Sequence, residues 1–223
     1  MYSFDNRDDT ICLDEPMYAY YLHHTGINHP GREEIIQSQP TDLSEAIAVM
    51  LSDQYHSELL FIKGMAHHYH GVKDLAFLNG FVNIFLIREP SRLISSFAQV
   101  ITHPTIQDIG LKHEWDLFQI LSKMGGDSIV IDSGELLNNP EEYLTYMCDK
   151  MGIPFSNKML HWPSGQKACD GVWARYWYKN VWRSTGFEKQ KTSDRPFPDY
   201  LNGLLEEANQ YYQLLRQHAL KIS

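Results

Sequence analysis

Four short apolar runs mark the chain: Thr10 to Leu13, Leu59 to Lys63, Val82 to Arg88 and Ser128 to Asp132. Val82 to Ile87 is bounded by Asn79-Gly80 and Glu89-Pro90 and lacks alternation, the pattern of a strand covered on both faces. Helical patterns stand between the runs, and such alternation predicts an α/β fold, a parallel sheet flanked by helices. Thr41-Asp42-Leu43-Ser44-Glu45 caps a helix that continues through about Leu51, and His113 to Lys123 forms another. Asn138-Asn139-Pro140 reads as a stop followed by a start, with a helix from Pro140 to about Met151. From Asp199 onward Leu201, Leu204, Leu205, Ala208, Tyr212, Leu215 and Ala219 recur at helical spacing, which predicts an amphipathic helix packed on the sheet. Trp162 to Pro198 breaks the pattern. It mixes Pro, Gly, Ser and Lys with Trp162, Trp173, Trp177 and Trp182, and a long loop with that aromatic content reads as ordered and functional rather than disordered.

A length of 223 residues with 43% hydrophobic content suits one sizeable domain spanning 1–223. No run of eighteen apolar residues occurs, and Met1 to Asp9 lacks the basic-then-apolar pattern of a leader, so a soluble, cytoplasmic chain without a membrane partner is expected. The formal charge of −9 argues against nucleic acid and anionic membranes as partners, yet permits a small anionic ligand where basic groups gather locally. Cys12, Cys148 and Cys169 are an odd set without CxxC spacing, which predicts buried, reduced thiols rather than a disulfide framework or a zinc knuckle. Oligomeric state is not legible.

The candidate chemistry lies at strand ends. Arg88 closes the third run, Pro90 suits the first turn of a following helix, and Ser95 and Ser96 lie one to two turns into it. Ligands of open α/β sheets bind at carboxyl ends of strands, and a guanidinium fork, helix N-terminal amides and a serine hydroxyl together suit an anion. Lys63 closes the second run and Asp14-Glu15-Pro16 follows the first. His67, His68 and His70 come shortly after Lys63. Such histidines serve as readily at a core edge as in catalysis, and a metal-dependent hydrolase using His67, His68 and His70, with Asp132, is one reading of them. HEXXH and GxxxxGK[ST] are both absent.

Arg88 ending a strand, Ser96 eight positions later and Lys63 ending the preceding strand resemble the sulfotransferases that use 3′-phosphoadenylyl sulfate. The resemblance implies a P-loop NTPase-like fold, with Arg88 and Ser96 on the 3′-phosphate, Lys63 near the transferring group, and no metal. Relatives place a basic histidine two positions after that lysine. Here Met65 stands there, so His67 and His68 become the candidate bases. Glu15-Pro16 is similar to a Glu-Pro in several members, and Glu15 is expected either to orient the acceptor hydroxyl or to pair with a neighbouring cation. Trp177 to Phe187 resembles a family signature in which Arg183 and Gly186 echo a loop closing over the nucleotide. Trp177 would stack on adenine or acceptor, or anchor that loop. The expected acceptor is a small-molecule hydroxyl, apolar or sugar-like, with Trp162, Trp173, Tyr176 and Trp177 as lining; core packing explains the same residues equally well.

Family members open with a strand, a phosphate loop and a helix. Met1 to Phe4 reads as the tail of that helix, so the chain is expected to be N-terminally truncated, with open ladder edges where a central strand would stand. Two explanations compete: Met1 is internal to a longer product, or the chain is an inactive relative. The first is favoured, because the remaining residues still resemble a working site. The alternative functions are a non-catalytic nucleotide-binding or interaction module, and the metal-dependent hydrolase already named.

Overall fold

The computed structural model describes residues 1–189 and 197–222. The chain begins with α1 (Tyr2–Asp5), β1 (Thr10–Asp14), α2 (Tyr18–Thr25), α3 (Arg32–Ser38), α4 (Leu43–Met50) and β2 (Leu59–Lys63). It continues through β3 (Asn83–Ile87), α5 (Pro90–Phe97), α6 (Ile106–Ile109), α7 (Leu111–Met124), β4 (Ser128–Asp132), α8 (Ser133–Asn138) and α9 (Pro140–Met151). The last helices are α10 (Ala174–Trp177) and α11 (Asn202–Arg216).

All four predicted strands form, and all pair in parallel. β1 lies on β2, from Thr10 opposite Leu59 to Asp14 opposite Lys63. β3 lies on β4, from Asn83 opposite Ser128 to Ile87 opposite Asp132. Among the described residues these are two separate two-stranded ladders. The α/β class, with parallel strands flanked by helices, is as the alternating pattern implied. The chain divides into two compact units, one of Met1–His70 with Phe155–Phe187, the other of Gly71–Pro154 with Glu188–Ser223.

In the first unit, Tyr18, Tyr21 and Leu22 of α2, Ile35 of α3, and Trp173, Ala174 and Tyr178 around α10 form one core cluster. The segment expected to be an ordered loop therefore delivers core residues: Trp173 is only 2% exposed. An antiparallel bridge between His161 and Gly186 ties off its far end, while residues 190–196 of the predicted loop lie outside the described residues. α2 has no sequence signature because Tyr18 through Leu22 are all buried, and a helix apolar on every face shows no stripe. Phe4 of α1 stacks on Phe61 of β2, ring centroids 4.1 Å apart.

In the second unit, α11 presents Ala208, Tyr212 and Leu215 inward, which is the packing its periodicity predicted. Beyond it Leu220 donates its amide to Val130 O at 2.9 Å, and Ala219 bridges Val130 in parallel. Asp132, at the end of β4, caps α8 through the Gly134 and Glu135 amides and accepts the Tyr212 hydroxyl at 2.5 Å. Asn139-Pro140 separates α8 from α9, and Gly152 ends α9 in the left-handed conformation with φ 68°. No helix among the described residues is long and apolar enough to cross a membrane.

Candidate functional site

The parallel register sets Asp14 opposite Lys63 at the carboxyl ends of β1 and β2. The Glu15 amide extends the ladder by donating to Lys63 O at 2.7 Å. Consecutive strand residues point to opposite faces, so Asp14 and Glu15 would ordinarily diverge. Glu15 breaks the alternation by taking φ +43°, the only positive φ at a non-glycine residue among those described. Such a backbone costs about 1–3 kcal/mol and persists only where neighbours hold it. Here Gln39 does so, donating Nε2 to Glu15 O at 3.1 Å and accepting the Ala19 amide at 3.2 Å.

The consequence is that two successive carboxylates meet one ammonium. Lys63 Nζ contacts Glu15 Oε1 directly and lies 3.4 Å from Asp14 Oδ1. It also donates to the Tyr178 hydroxyl at 2.7 Å, and that hydroxyl donates to Asp14 Oδ1 at 2.7 Å, closer than Glu15 Oε1 at 3.3 Å. Asp14 Oδ2 accepts the Gly171 amide at 3.2 Å. The carboxylate side chains are 1% and 8% exposed and that of Lys63 is 26% exposed, so the ammonium is the member a ligand from solvent reaches. Burial works against the charge on Lys63, but Glu15 and Asp14 outweigh it and its pKa is raised. Burial, reinforced by Asp14 and opposed by Lys63, raises the Glu15 carboxyl. Two acids around one cation in a dry site carry a surplus negative charge when all are ionised, and burial makes Glu15 a stronger base than a free carboxylate.

His67 and His68 stand on a short turn, Ala66–Tyr69, and both are buried. His68 stacks on Tyr18 with centroids 4.6 Å apart, and its Nδ1 is 4.0 Å from Glu15 Oε2. Burial, then repulsion from His67, Lys63 and His29, pushes the His68 pKa well below the usual histidine value, so the ring is neutral. Nδ1 of each ring is shielded from solvent. Tyr18 is hydrogen-bonded to His29 Nδ1 at 2.8 Å, and His29 lies edge-on to Trp177 at 5.9 Å. Trp177 is half-buried against the core cluster. Arg183 is exposed at the end of the turn Val181–Arg183. Gly186 has a packing reason, since a Cβ there would lie 2.9 Å from Leu160 O. Among the described residues no three His, Cys, Asp or Glu side chains gather as metal ligands.

In the second unit Arg88 follows β3 directly. It is half-buried, and its Nε is buried with no hydrogen-bond partner. Burial and the neighbouring Arg92 lower its pKa, with Glu89 opposing them, although a guanidinium remains charged at any ordinary pH. The helix amides expected to help bind an anion are not all free. Glu89 caps α5, its carboxylate accepting the Ser91 amide at 3.1 Å and the Ser91 hydroxyl at 2.7 Å. That part of the expectation is corrected: an acidic side chain already serves the positive end of the helix dipole. Ser95 turns its hydroxyl back to Ser91 O at 2.6 Å, whereas Ser96 is exposed. Ser96 lies one turn beyond Arg92 on the same helix face.

Asp14, Tyr178 and Arg92 had no assigned part in the sequence reading. Tyr178 is 115 positions from Lys63, and no local pattern announces such a contact.

Parallel strands joined through helices, with cations at their carboxyl ends, define an α/β protein. More narrowly, the chain belongs to the sulfotransferase domain family, whose model matches residues 1–219. It is similar to two solved structures. One is the "Sulfotransferase Domain from the Curacin Biosynthetic Pathway", at 15% identity and TM-score 0.51, covering 88% of this chain and 77% of that one. The other is the "Sulfotransferase Domain from the Synechococcus PCC 7002 Olefin Synthase", at 13% identity and TM-score 0.52, covering 92% and 74%. Among curated proteins it is 34% identical over 219 residues to "Branched-chain-amino-acid aminotransferase-like protein 1" of Arabidopsis thaliana and 32% identical over 220 residues to "Branched-chain-amino-acid aminotransferase-like protein 2" of the same plant. These matches cover 98% of the chain but only 39% of either relative, so those names describe much longer proteins.

Proposed function

We propose that this protein transfers a sulfuryl group from 3′-phosphoadenylyl sulfate to a hydroxyl of a small acceptor. The observation that carries this reading is Arg88, a half-buried guanidinium whose buried Nε lacks a partner and which Arg92 crowds with like charge. A doubly charged phosphate relieves both defects, accepting the unused donor and neutralising the pair. Arg88 and Ser96 take the 3′-phosphate. The nucleotide supplies the group transferred.

In the first unit Lys63, which its raised pKa keeps cationic, is suited to offset negative charge that develops during transfer. Glu15 orients the acceptor hydroxyl and takes its proton, a task that suits a carboxyl whose pKa burial moves toward neutrality. The neutral His68, 4.0 Å from the other Glu15 oxygen, adds no competing charge to the site.

Calorimetry with adenosine 3′,5′-bisphosphate tests the reading. Arg88→Ala is expected to weaken binding by about 1.5–3 kcal/mol, the range for a charge-assisted hydrogen bond, or roughly ten- to a hundredfold. Unchanged affinity would reject Arg88 as the phosphate ligand. One observation favours a second reading, a nucleotide-binding module without catalysis: Lys63 is already shared by two carboxylates and a phenol. Bisphosphate binding with no transfer of labelled sulfate to any alcohol would select it.

A further inference from the structure

We propose that Cys12 and Cys169 form a reversible disulfide, a modification site that clasps the segment around residues 167–171 onto β1 beside Asp14. Three observations converge. The Cys169 thiol is within hydrogen-bonding reach of the Cys12 thiol. Cys12 and Asp14, two positions apart on β1, share a face of the strand. Gly171, two positions beyond Cys169, donates its amide to Asp14 Oδ2 at 3.2 Å. The Gly171–Asp14 bond therefore brings the segment that carries Cys169 to the face of β1 that carries Cys12.

The segment is also held still. Asp170 accepts the Tyr2 hydroxyl at 2.7 and 2.9 Å, the Trp182 indole N–H at 2.9 Å and the Lys167 amide at 2.9 Å. Lys167 lies 3.9 Å from Asp5. These bonds keep Cys169 beside β1, and a disulfide forms without strain where the backbone already holds the two cysteines close. Cys12 is buried and Cys169 half-buried, so an oxidant meets Cys169 first. Cys148, buried on α9 in the other unit, serves as an internal comparison.

Oxidised glutathione, a small-molecule disulfide, supplies the oxidising equivalent. The Cys169 thiolate attacks one glutathione sulfur and releases the other as thiolate. Cys12, deprotonated, then attacks the Cys169 sulfur of the mixed disulfide and expels the second glutathione thiolate. Two protein thiols are oxidised, one small disulfide is reduced, and the two cysteine protons end on the two glutathione sulfurs. Its hydrogen bond with Cys12, burial and the Asp5 carboxylate all raise the Cys169 thiol pKa, so the exchange is slow at neutral pH and quickens as pH rises. The bond itself does not depend on the sulfotransferase reading; only its effect on activity, through Asp14 and the Lys63 cluster, rests on that reading.

The full chain is incubated in excess oxidised glutathione, quenched with N-ethylmaleimide, and analysed by intact and peptide mass spectrometry. The expected product has lost two hydrogens, yields one linked Cys12–Cys169 peptide, carries its alkyl label on Cys148, and reverts with dithiothreitol. Cys148→Ser is expected to give the same link and Cys169→Ser, at the half-buried position, none. Mixed disulfides alone, a link through Cys148, or alkylation of both Cys12 and Cys169 under these conditions overturns the proposal.

Discussion

Tyr178→Phe removes one oxygen from the most connected point of the lysine cluster and leaves the ring in place. The aromatic contacts of the core therefore survive, as does the ring 5.1 Å beneath the Lys63 ammonium. Two interactions disappear, the donation from Lys63 and the donation to Asp14, each 2.7 Å long and each involving a charged group. Hydrogen bonds of that kind are worth about 1.5–3 kcal/mol apiece. They share one oxygen, so their losses do not add in full. Asp14 keeps the Gly171 amide, and Lys63 keeps Glu15. A net loss of about 2–4 kcal/mol in unfolding free energy follows, read from urea denaturation followed by tryptophan fluorescence. A cycle with Asp14→Asn separates network from packing: the double variant is expected to fall short of the summed single losses by at least about 1 kcal/mol. A Tyr178→Phe protein within about 0.5 kcal/mol of wild type would refute the claim that this phenol organises the cluster.

Other consequences are as sharply defined. The folded-state pKa of His68 is depressed, so its contribution to stability is present above the unfolded value near 6.5 and is lost as pH falls below it. His68→Phe, which keeps the stack on Tyr18, is expected to shrink the acid-side loss seen in denaturation midpoints between about pH 6.5 and 4. An unchanged acid limb would show that His68 titrates alike in the folded and unfolded chain. Ser96→Ala is expected to leave the melting temperature within error, because Ser96 is exposed, while weakening bisphosphate binding by about 0.5–1.5 kcal/mol in calorimetry. Gly186→Ala drives a Cβ to 2.9 Å from Leu160 O and 3.1 Å from His161 Nδ1, and a thermal melt is expected to show a loss of about 1–3 kcal/mol.

What could be foreseen followed from local rules. Strand ends at Lys63 and near Arg88, Pro90 in the first turn of α5 and the Pro140 start of α9 are each dictated by neighbours in sequence. α2 escaped because its tyrosines and leucine are buried all round, and α3 because Ile35 alone among its residues is buried. Lys63 was legible as a residue type at a strand end. Its partners were not, since Tyr178 arrives from 115 positions away and Glu15 swings round only through a backbone angle that its sequence neighbours do not require. The helix-amide part of the anion site failed for a different reason. Glu89 was read as the end of a run, whereas its side chain is also a cap that serves the Ser91 amide.

The two cationic strand ends solve opposite electrostatic problems. Lys63 is saturated: a carboxylate at contact, a second at 3.4 Å and a phenol leave its charge more than balanced within its own unit. Arg88 is the reverse, desolvated, crowded by Arg92 and short of an acceptor at Nε. A ligand gains most where the protein is least satisfied, because a new bond there replaces no existing one. Ground-state affinity for an anion should therefore reside at Arg88, while Lys63, whose partners must loosen before it can serve another oxygen, is better suited to charge that appears only during reaction. Substitutions at Lys63 should then lower kcat with little change in bisphosphate affinity, and substitutions at Arg88 should do the opposite. If both residues move affinity equally, the division fails and Lys63 becomes an ordinary ground-state phosphate ligand.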